Sequence, residues 1–352
     1  MRMQSNNGLA LENMAKDQIN IGIIGYGYWG QNIVRNFFNA SRCRVVRVAD
    51  ERAESRELLS KHYPSVAASD SAMEIIKDNT IDAIVIATPV SSHYELARKA
   101  LLEGKHVLVE KPMTSSVAEA KELMNIAAQK NLVLMVDHTF LYTGAVQKIK
   151  ELMDQKVIGK ARYFDSTRIN LGLFQPDINV LWDLAAHDLS ILVYLIAEQP
   201  FSVHATGISH TRNGIENIAY MTLHYNADFI AHFHCSWTSP VKIRQTLIGG
   251  DEKMIIYNDL EPTEKVRIYD TGYNVKTEED KKQILVDYRT GDVSIPKISV
   301  REALSEVAAD FIGSIIHQRE PLANAASGLR VVQILEASQR SIKNKGQEVQ
   351  IK

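Results

Sequence analysis

Cysteine is scarce in this chain of 352 residues, which contains only Cys43 and Cys235. Two thiols cannot build a disulfide framework, so they favour a reducing compartment, and we expect the cytoplasm. No apolar run approaches the length of about 20 residues that a membrane-spanning helix needs. Residues 1–20 are polar and lack the apolar segment of a secretory signal, so residues 1–19 are predicted to be a flexible leader.

Charge of one sign is also not concentrated anywhere in the sequence. The formal net charge is -2, and no basic block is present. Because nucleic-acid binding depends on clustered Lys and Arg side chains, nucleic acid is disfavoured as a main partner. A hydrophobic content of 45% is ordinary for globular proteins, and the length suffices for two domains.

A glycine-rich turn follows the first apolar run. Ile21–Ile24 leads into Gly25-Tyr26-Gly27-Tyr28-Trp29-Gly30, and a helical pattern begins there. In a dinucleotide-binding turn these glycines allow a tight turn, close approach to a pyrophosphate and close helix packing, while the helix N-terminus faces the phosphates. A second strand ends at Asp50, whose carboxylate could accept hydrogen bonds from a ribose 2′-hydroxyl and would repel a 2′-phosphate. This favours NAD over NADP, although Arg52 lies close by.

Strands and helices alternate from residue 20 to residue 137. The apolar strands are typical of a parallel sheet that is covered on both faces, and right-handed crossovers then give a doubly wound α/β fold. We therefore predict an NAD(P)-binding Rossmann domain at 20–137. Predicted strands are Asn20–Ile24, Val45–Ala49, Ala83–Ala87, Val107–Glu110 and Leu132–Val136. Predicted helices are Tyr28–Phe38, Arg52–His62, Ser71–Lys77, Ser92–Leu102 and Val117–Lys130.

The pattern changes in residues 138–352, which are predicted to form a substrate-binding and oligomerisation domain of the α+β class. Long alternating strands separated by turn residues indicate a large open sheet, antiparallel or mixed. The strands are expected at Ala161–Asn170, Phe201–Gly207, Ala219–Tyr225, Phe229–Trp237, Lys242–Ile248, Met254–Tyr257 and Val266–Tyr269. Helices are expected at Ala145–Met153, Leu181–Glu198, Val300–His317 and Ala326–Asn344, with an exposed loop at 270–284.

Lys111 follows a predicted strand and precedes Pro112, which cannot continue a ladder. It therefore lies at the carboxyl end of a strand, where ligands bind in open α/β sheets. A partly desolvated lysine can share a proton with a substrate hydroxyl; the alternative is a solvated lysine at a strand end. Asp183 and His187 are four residues apart on a predicted helix and could form an acid/base pair, or a structural ion pair.

Further polar residues are weighed as site candidates. Thr88 and Pro89 end a strand beside the expected cofactor cleft, and His93 begins the next helix; the alternative is a simple strand stop. Arg168 could bind a substrate carboxylate or phosphate, or form a surface ion pair, and Asn170 and Gln175 lie nearby. A metal site at His232, His234 and Cys235 is disfavoured, because no matching ligand set is evident.

With these motifs, the chain resembles the glucose-fructose oxidoreductase/inositol dehydrogenase (Gfo/Idh/MocA) family. The matching stretches are IGIIGYGYWG, ATPVSSHYELARKALLEGKHVLVEKPM and WDLAAHD. The second motif departs from the family's glycine-rich form GGxLxDxGxH, since Ile178, Asn179 and Ala185 stand where glycines are usual. The segment RINLGLFQPDINVLWDLAAHDLS also looks like a subgroup with dehydrogenases that oxidise C3 of a UDP-linked amino-sugar uronate.

The resemblance implies NAD(P)-dependent hydride transfer at a secondary hydroxyl, possibly C3, of a sugar or nucleotide-linked sugar. It implies catalytic roles for Lys111, Asp183 and His187. Alternatives are a polyol or inositol dehydrogenase, a ketosugar reductase, or a non-catalytic dinucleotide-binding regulator. A homodimer or homotetramer through the open sheet is expected. The implied cofactor-binding residues are Gly25, Gly27, Tyr28, Trp29, Gly30, Asp50, Thr88, Pro89, His93, Glu110 and Lys111. The implied substrate-binding residues are Lys111, His138, Arg168, Asn170, Gln175, Asp183 and His187.

Overall fold

Two β-sheets organise the chain in the computed structural model, which describes residues 18–172, 174–226, 228–270, 272–274, 287–289 and 291–352. The first sheet has six parallel strands in the order β3-β2-β1-β4-β5-β6, which is the order of a Rossmann fold. Its strands are β1 Ile19–Ile24, β2 Cys43–Ala49, β3 Ala67–Ser69, β4 Ala83–Ile86, β5 His106–Glu110 and β6 Leu134–Asp137.

Helices cover both faces of this sheet, as the near-continuous apolar strands require. All four residues of β4 are buried, for example. The helices are α1 Tyr28–Asn39, α2 Ala53–His62, α3 Ala72–Ile76, α4 Val90–Leu102 and α5 Val117–Gln129. The predicted doubly wound fold is confirmed. Strand β3 was not predicted, because its sequence Ala-Ala-Ser carries no β-branched or aromatic residue.

The second sheet has nine strands in the order β16-β13-β12-β11-β7-β10-β9-β8-β17. The pair β7–β10 is parallel and the other pairs are antiparallel, so the expected large mixed sheet is confirmed. Its strands are β7 Ala161–Leu171, β8 Ser202–Ile208, β9 Ile218–His224, β10 Ile230–Ser236, β11 Thr238–Gly250, β12 Met254–Asn258, β13 Val266–Tyr269, β16 Val293–Ser294 and β17 Val349–Gln350.

Helical segments connect the two sheets. After β6 come a 3-10 turn at Thr139–Tyr142 and helix α6, Gly144–Asp154. A π-helical turn at Leu181–Ala185 then leads into α7, Ala186–Leu195. The chain closes with α8, Ala303–His317, and α9, Ala325–Lys343.

The closing helices pack against both sheets. The carboxylate of Glu336 on α9 accepts a hydrogen bond from the backbone N–H of Val117, at the start of α5. Ser341, also on α9, accepts one from the backbone of Ala205 in β8. The backbone N–H of Val136 in β6 donates to the carbonyl oxygen of Ala323. A division of the chain at residue 137 therefore remains a proposal, since the C-terminal helices return to the first sheet.

Two predicted segments fall largely outside the described residues. These are the leader at 1–19, of which residues 1–17 are not described, and the loop at 270–284. Within the second segment, Gly272–Asn274 forms β14, which pairs with β15, Asp287–Arg289. Across the described ranges, no helix combines the length and the hydropathy that crossing a membrane requires.

Candidate active site

The glycine turn joins β1 to α1 and forms one wall of a cleft of about 700 Å³. Gly25 has a φ of +100°, and a Cβ atom there would lie 2.3 Å from the carbonyl oxygen of Ala87. A Cβ at Gly30 would lie 2.3 Å from the carbonyl oxygen of Gly25. At Gly27 a Cβ would meet only the end of the Arg52 side chain, at 3.4 Å. The backbone at Gly27 is thus open to a ligand, as a pyrophosphate site requires.

Asp50 lies at the carboxyl end of β2 and lines the same cleft. Its carboxylate accepts hydrogen bonds from the backbone N–H of Tyr26 at 2.8 Å and from the guanidinium of Arg52 at 3.0 and 3.1 Å. Burial would raise the pKa of Asp50, but the bonds from Arg52 and Tyr26 outweigh it and hold the pKa below its usual value. Asp50 is therefore ionised, as an acceptor for ribose hydroxyls must be.

Thr88 and Pro89 follow β4 and line both this cleft and a second cleft of about 620 Å³. His93 lies beneath them and is only 1% exposed. Its ring nitrogens lie 2.8 Å from the carbonyl oxygen of Thr88 and 2.9 Å from that of Pro112. The predicted direct contact of His93 with a cofactor is thus corrected: the ring is buried, and it ties together two strand ends that line the clefts.

Lys111 lies directly after β5 and lines the second cleft. Its side chain is 14% exposed, and its Nζ lies 3.3 Å from Oδ1 of Asp183. Nζ also donates a hydrogen bond to the backbone carbonyl of Asp183 at 2.8 Å. The alternative of a fully solvated lysine is therefore wrong, because the ammonium group is held against Asp183 in the C-terminal part of the chain.

Asp183 lies in the π-helical turn that precedes α7. Its second carboxylate oxygen accepts a hydrogen bond from the indole N–H of Trp237 at 3.0 Å. The carboxylate is consequently held between Lys111 and Trp237, and the expected pairing with His187 is not seen among the described hydrogen bonds. A π-turn widens the helix locally, and such turns are frequent at functional sites.

His187 lies in the first turn of α7 and lines the same cleft as Lys111 and Asp183. Its Nδ1 atom is buried and has no hydrogen-bond partner among the described residues. The ring of Phe140 packs against it edge-on, with centroids 5.1 Å apart. Burial and the positive charges of Lys111, Arg168 and other neighbours hold the pKa of His187 well below its usual value. The imidazole is therefore neutral near neutral pH and can accept a proton.

Two carboxyl groups lie beneath the lysine. Glu110 and Asp137 are paired residues at the ends of β5 and β6, and each has one buried carboxyl oxygen that lacks a hydrogen-bond partner among the described residues. Burial and the charge of Asp137 raise the pKa of Glu110 well above its usual value. The raised pKa favours the protonated form of Glu110. The other oxygen of Glu110 accepts from the backbone N–H of Lys111 at 3.1 Å, which fixes the backbone of the lysine.

The remaining predicted substrate contacts differ in position. Gln175 lines the cleft, whereas Asn170, at the end of β7, does not. Arg168 lines it too, but the surface ion pair is wrong: its guanidinium is 3% exposed and donates to both carboxylate oxygens of Asp188, at 2.8 and 2.6 Å. His138 is 1% exposed and lies below the cleft surface, so its predicted contact with a substrate is corrected.

His232, His234 and Cys235, at which a metal site is disfavoured, have separate surroundings. Nδ1 of His232 hydrogen-bonds with the hydroxyl of Thr222 at 2.9 Å, and His234 stacks on Tyr220 with centroids 4.5 Å apart. Cys235 is buried in the core. In the described part of the chain no group of three or more His, Cys, Asp or Glu side chains is arranged to hold a metal ion.

The residues that sequence reasoning missed include Phe140 and Arg244, which line the cleft, and Trp237, which holds Asp183 from outside it. Phe140 could have been suspected from its position just after β6, at a strand's carboxyl end. Trp237 and Arg244 carry no such signal, because only the pairing of β7, β10 and β11 brings them to the site.

The two clefts together fit a nicotinamide dinucleotide. They adjoin at Ala87, Thr88 and Pro89. The first offers the open backbone at Gly27 and the ionised Asp50, while the second holds Lys111 and His187. A dinucleotide bound across this sheet would have its adenosine ribose near Asp50 and its nicotinamide near Lys111.

Comparison with known protein families agrees with this geometry. Residues 19–138 match the oxidoreductase family GFO/IDH/MocA, NAD-binding Rossmann fold. Residues 146–256 match the GFO/IDH/MocA C-terminal domain. Together these two matches cover most of the chain.

Individual relatives resemble the chain over nearly its full length. UDP-N-acetylglucosamine 3-dehydrogenase of Acidithiobacillus ferrooxidans is 28% identical over 320 residues, covering 88% of this chain and 93% of the relative. 1,5-anhydro-D-fructose reductase of Ensifer adhaerens is 23% identical, covering 88% and 91%. A solved structure of the former enzyme superposes with a TM-score of 0.79 at 24% identity, covering 94% of this chain and 99% of that one.

Proposed function

Since the chain belongs to the GFO/IDH/MocA oxidoreductase family, we propose that it transfers hydride between NAD and a secondary hydroxyl of a sugar or nucleotide-linked sugar. The observation that carries the proposal is the convergence of Lys111 and His187 on one cleft that adjoins the cleft of the glycine turn. One residue comes from each half of the chain, so the site is complete only when both sheets are in place.

His187 acts as the general base for oxidation and as the general acid for reduction. Its lowered pKa supports this role, because a neutral imidazole can take the hydroxyl proton as hydride leaves the same carbon. The nicotinamide, when bound, accepts that hydride. The Nδ1 atom is buried, so we infer that Nε2 is the nitrogen that meets the substrate.

Lys111 hydrogen-bonds the same substrate oxygen and stabilises the negative charge that develops on it. Asp183 and the backbone carbonyl of its residue hold the ammonium group in place, at 3.3 and 2.8 Å. Asp183 is in turn oriented by Trp237. We assign Asp183 a positioning role toward Lys111.

NAD is the preferred cofactor in this proposal. The carboxylate of Asp50 is ionised and lies where a ribose 2′-hydroxyl would be received. Arg52 neutralises part of its charge, so NADP remains a weaker cofactor rather than an excluded one.

A nucleotide-linked sugar, oxidised at C3, is the finer form of the proposal. It is supported by the similarity to UDP-N-acetylglucosamine 3-dehydrogenase, which extends over 88% of this chain. Inositols and ketosugars are the alternatives within the same fold.

Lys111→Ala and His187→Ala should each lower kcat by about a hundredfold to ten-thousandfold, since each removes a group that acts on the reacting oxygen. Turnover of the preferred sugar and cofactor binding would be measured on each purified variant. Lys148→Ala, at a half-buried position of α6 that lines neither cleft, is the matched control and should retain wild-type turnover. Near-normal turnover of both site variants would contradict the assignment, whereas cofactor binding without any turnover in the wild type would support a regulator.

We also propose that the chain forms a homodimer or homotetramer through the outer face of the second sheet. Tyr163, Tyr220 and Ile230 are exposed on this face, and Tyr163 and Ile230 are direct neighbours in the strand pairing. Exposed apolar patches of this kind commonly mark protein interfaces.

A further inference from the structure

Arg244 lies in β11 and extends the wall of the cleft beyond His187. It is the strand-pairing partner of Arg168 in β7, and both residues line the cleft. Two guanidinium groups therefore lie side by side near the proposed base. The ion-pair and hydrogen-bond partners of each guanidinium group determine whether it is available to bind a ligand.

Arg168 is paired with a carboxylate within the protein. Its Nε and Nη2 atoms bond both oxygens of Asp188, and the ring of Phe140 lies 4.6 Å from the centre of its guanidinium. Arginine and carboxylate are each almost completely buried. The charge of Arg168 is therefore neutralised by Asp188, and this guanidinium is not a free cation for a ligand.

Arg244 is only partly engaged. Its Nη1 lies 3.3 Å from Oδ2 of Asp259, and that carboxylate is shared with Lys265, 3.6 Å away, and with the hydroxyl of Tyr257. The Nε of Arg244 is buried and has no hydrogen-bond partner among the described residues. About a third of the side chain, 32%, is exposed. Two cations thus share one carboxylate, and the Nε–H group of Arg244 has no acceptor among the described residues.

A guanidinium with free donors binds planar or tetrahedral oxyanions through paired hydrogen bonds. We propose that Arg244 binds an anionic group, a carboxylate or a phosphate, carried by the sugar itself, and so selects charged sugars over neutral ones. This inference rests on the proposed function, because it assigns the substrate class of the same cleft. The anion belongs on the sugar because Arg244 lies beside His187 and not at the cofactor end.

The position of Arg244 also affects the pKa of His187, the proposed base. Arg244 is one of the positive groups that lower the pKa of His187, together with Lys111 and Arg168; the buried ring of His138 also lies nearby. Four acidic residues lie in the same region. Asp183 and Asp188 are each paired with one of these cations, and Glu110 and Asp177 also line the cleft. An anion bound at Arg244 would offset its charge and raise the pKa of His187. A charged substrate would thereby strengthen the base that acts on it.

The test compares matched sugars on the holoenzyme with NAD. Glucose, glucuronate and glucose 6-phosphate form one series, and UDP-glucose with UDP-glucuronate forms another. We expect kcat/KM to favour the member with a charged sugar by at least about tenfold, the size of one charge-assisted hydrogen-bonded contact. Whether glucuronate or glucose 6-phosphate is preferred identifies carboxylate or phosphate as the anion.

Arg244→Gln should lower kcat/KM for the charged sugar at least about tenfold more than for the neutral one, whereas Arg244→Lys should keep part of the preference. Asp259→Asn removes the structural partner of Arg244 and should retain the preference. Arg267→Gln, in β13 and equally exposed, is the matched control. The acid limb of the kcat profile should lie at higher pH with the charged sugar than with the neutral one, and this difference should vanish in Arg244→Gln.

Equal preference for charged and neutral sugars in the wild type, with turnover intact, would overturn the inference and leave the proposed function standing. Loss of the preference in Asp259→Asn as complete as in Arg244→Gln would also overturn the inference, since the arginine would then have a structural role. The proposed function would again stand. Absence of turnover on every sugar, despite cofactor binding, would overturn both the inference and the proposed function.

Discussion

His138 is a buried ionisable side chain beside the site, and both of its ring nitrogens lack hydrogen-bond partners in the described part of the protein. Burial, together with the charge of Lys111, lowers its pKa to about 3. The ring is therefore neutral in the folded protein at any pH at which it functions. It resembles an apolar packing group more than a ligand-binding one.

The depressed pKa of His138 makes stability depend on pH. In the unfolded chain the residue titrates near 6.5, so between about pH 6.5 and pH 3 the unfolded state binds the extra proton. This residue should therefore lower the free energy of unfolding by about 1.4 kcal/mol for each unit of decreasing pH in that window. Denaturant unfolding of His138→Leu between pH 4 and pH 7 should show a shallower slope than the wild type.

His62→Leu, at an exposed position of α2, is the control and should leave the slope unchanged. Parallel slopes for the wild type and His138→Leu would show that His138 is protonated in the folded protein, contrary to its buried and unpartnered position.

The principal residues of the candidate site could be located from the sequence because each belongs to a short local pattern. Pro112 ends β5 and so fixes the place of Lys111, and the glycine turn and Asp50 follow from their spacing. Arg168 shows the limit of such reasoning. Its partner Asp188 is twenty residues away, and nothing in either segment indicates that the pair is buried.

At the scale of elements, the glycine turn offers a test of geometry. Gly30→Ala places a Cβ 2.3 Å from a backbone oxygen, which the turn can relieve only by moving. Gly27→Ala meets only a flexible side chain end at 3.4 Å and faces the cleft. We expect Gly30→Ala to lose about 1–3 kcal/mol of stability as well as NAD affinity. Gly27→Ala should keep its stability and lose affinity alone, because its methyl group occupies the path of the pyrophosphate.

Thermal unfolding and calorimetric NAD titration separate these two effects. Equal stability losses in both variants would mean that the open space at Gly27 is needed for folding. Unchanged NAD affinity in Gly27→Ala would contradict the assignment of the phosphate site to this turn.

The elements also show where periodicity is informative. Apart from β3, the strands of the first sheet begin and end within a few residues of the predictions, because a strand buried on both faces is a compact apolar run. The π-turn at Leu181–Ala185 could not be predicted, since its apolar residues fit an ordinary helix equally well. It appears where the family motif is altered, at Ala185, which stands in place of the usual glycine.

For the whole molecule, the sequence indicates two sheets but not their pairing. The parallel contact of β7 with β10 joins strands about seventy residues apart, and no local signal specifies it. The return of the C-terminal helices to the first sheet is equally non-local. The carboxylate of Glu302 bonds Arg35 in α1, and Phe311 packs edge-on against Phe37. These contacts join α8 and the residue before it to α1 of the first sheet.

The outer face of the second sheet gives a prediction for assembly. Tyr220 and Ile230 are each 45% exposed there, so charged substitutions should disrupt an interface between copies without disturbing the core. Sedimentation velocity should show that the double variant Tyr220→Glu/Ile230→Lys has a smaller mass than the wild-type oligomer. Leu102→Lys, at the end of α4 and 44% exposed, should keep the wild-type mass. A monomeric wild type, or an unchanged mass in the double variant, would contradict the proposal.

The most direct measurement for the whole protein is the absorbance of reduced nicotinamide. Purified protein would be mixed with NAD⁺ or NADP⁺ and a panel of nucleotide sugars, free sugars and inositols, and ketosugars would be offered with the reduced cofactor. We predict a change with one sugar class, faster with NAD than with NADP, that is lost in Lys111→Ala and His187→Ala. A flat trace in both directions, with cofactor demonstrably bound, would contradict hydride transfer to or from a sugar as the function of this site.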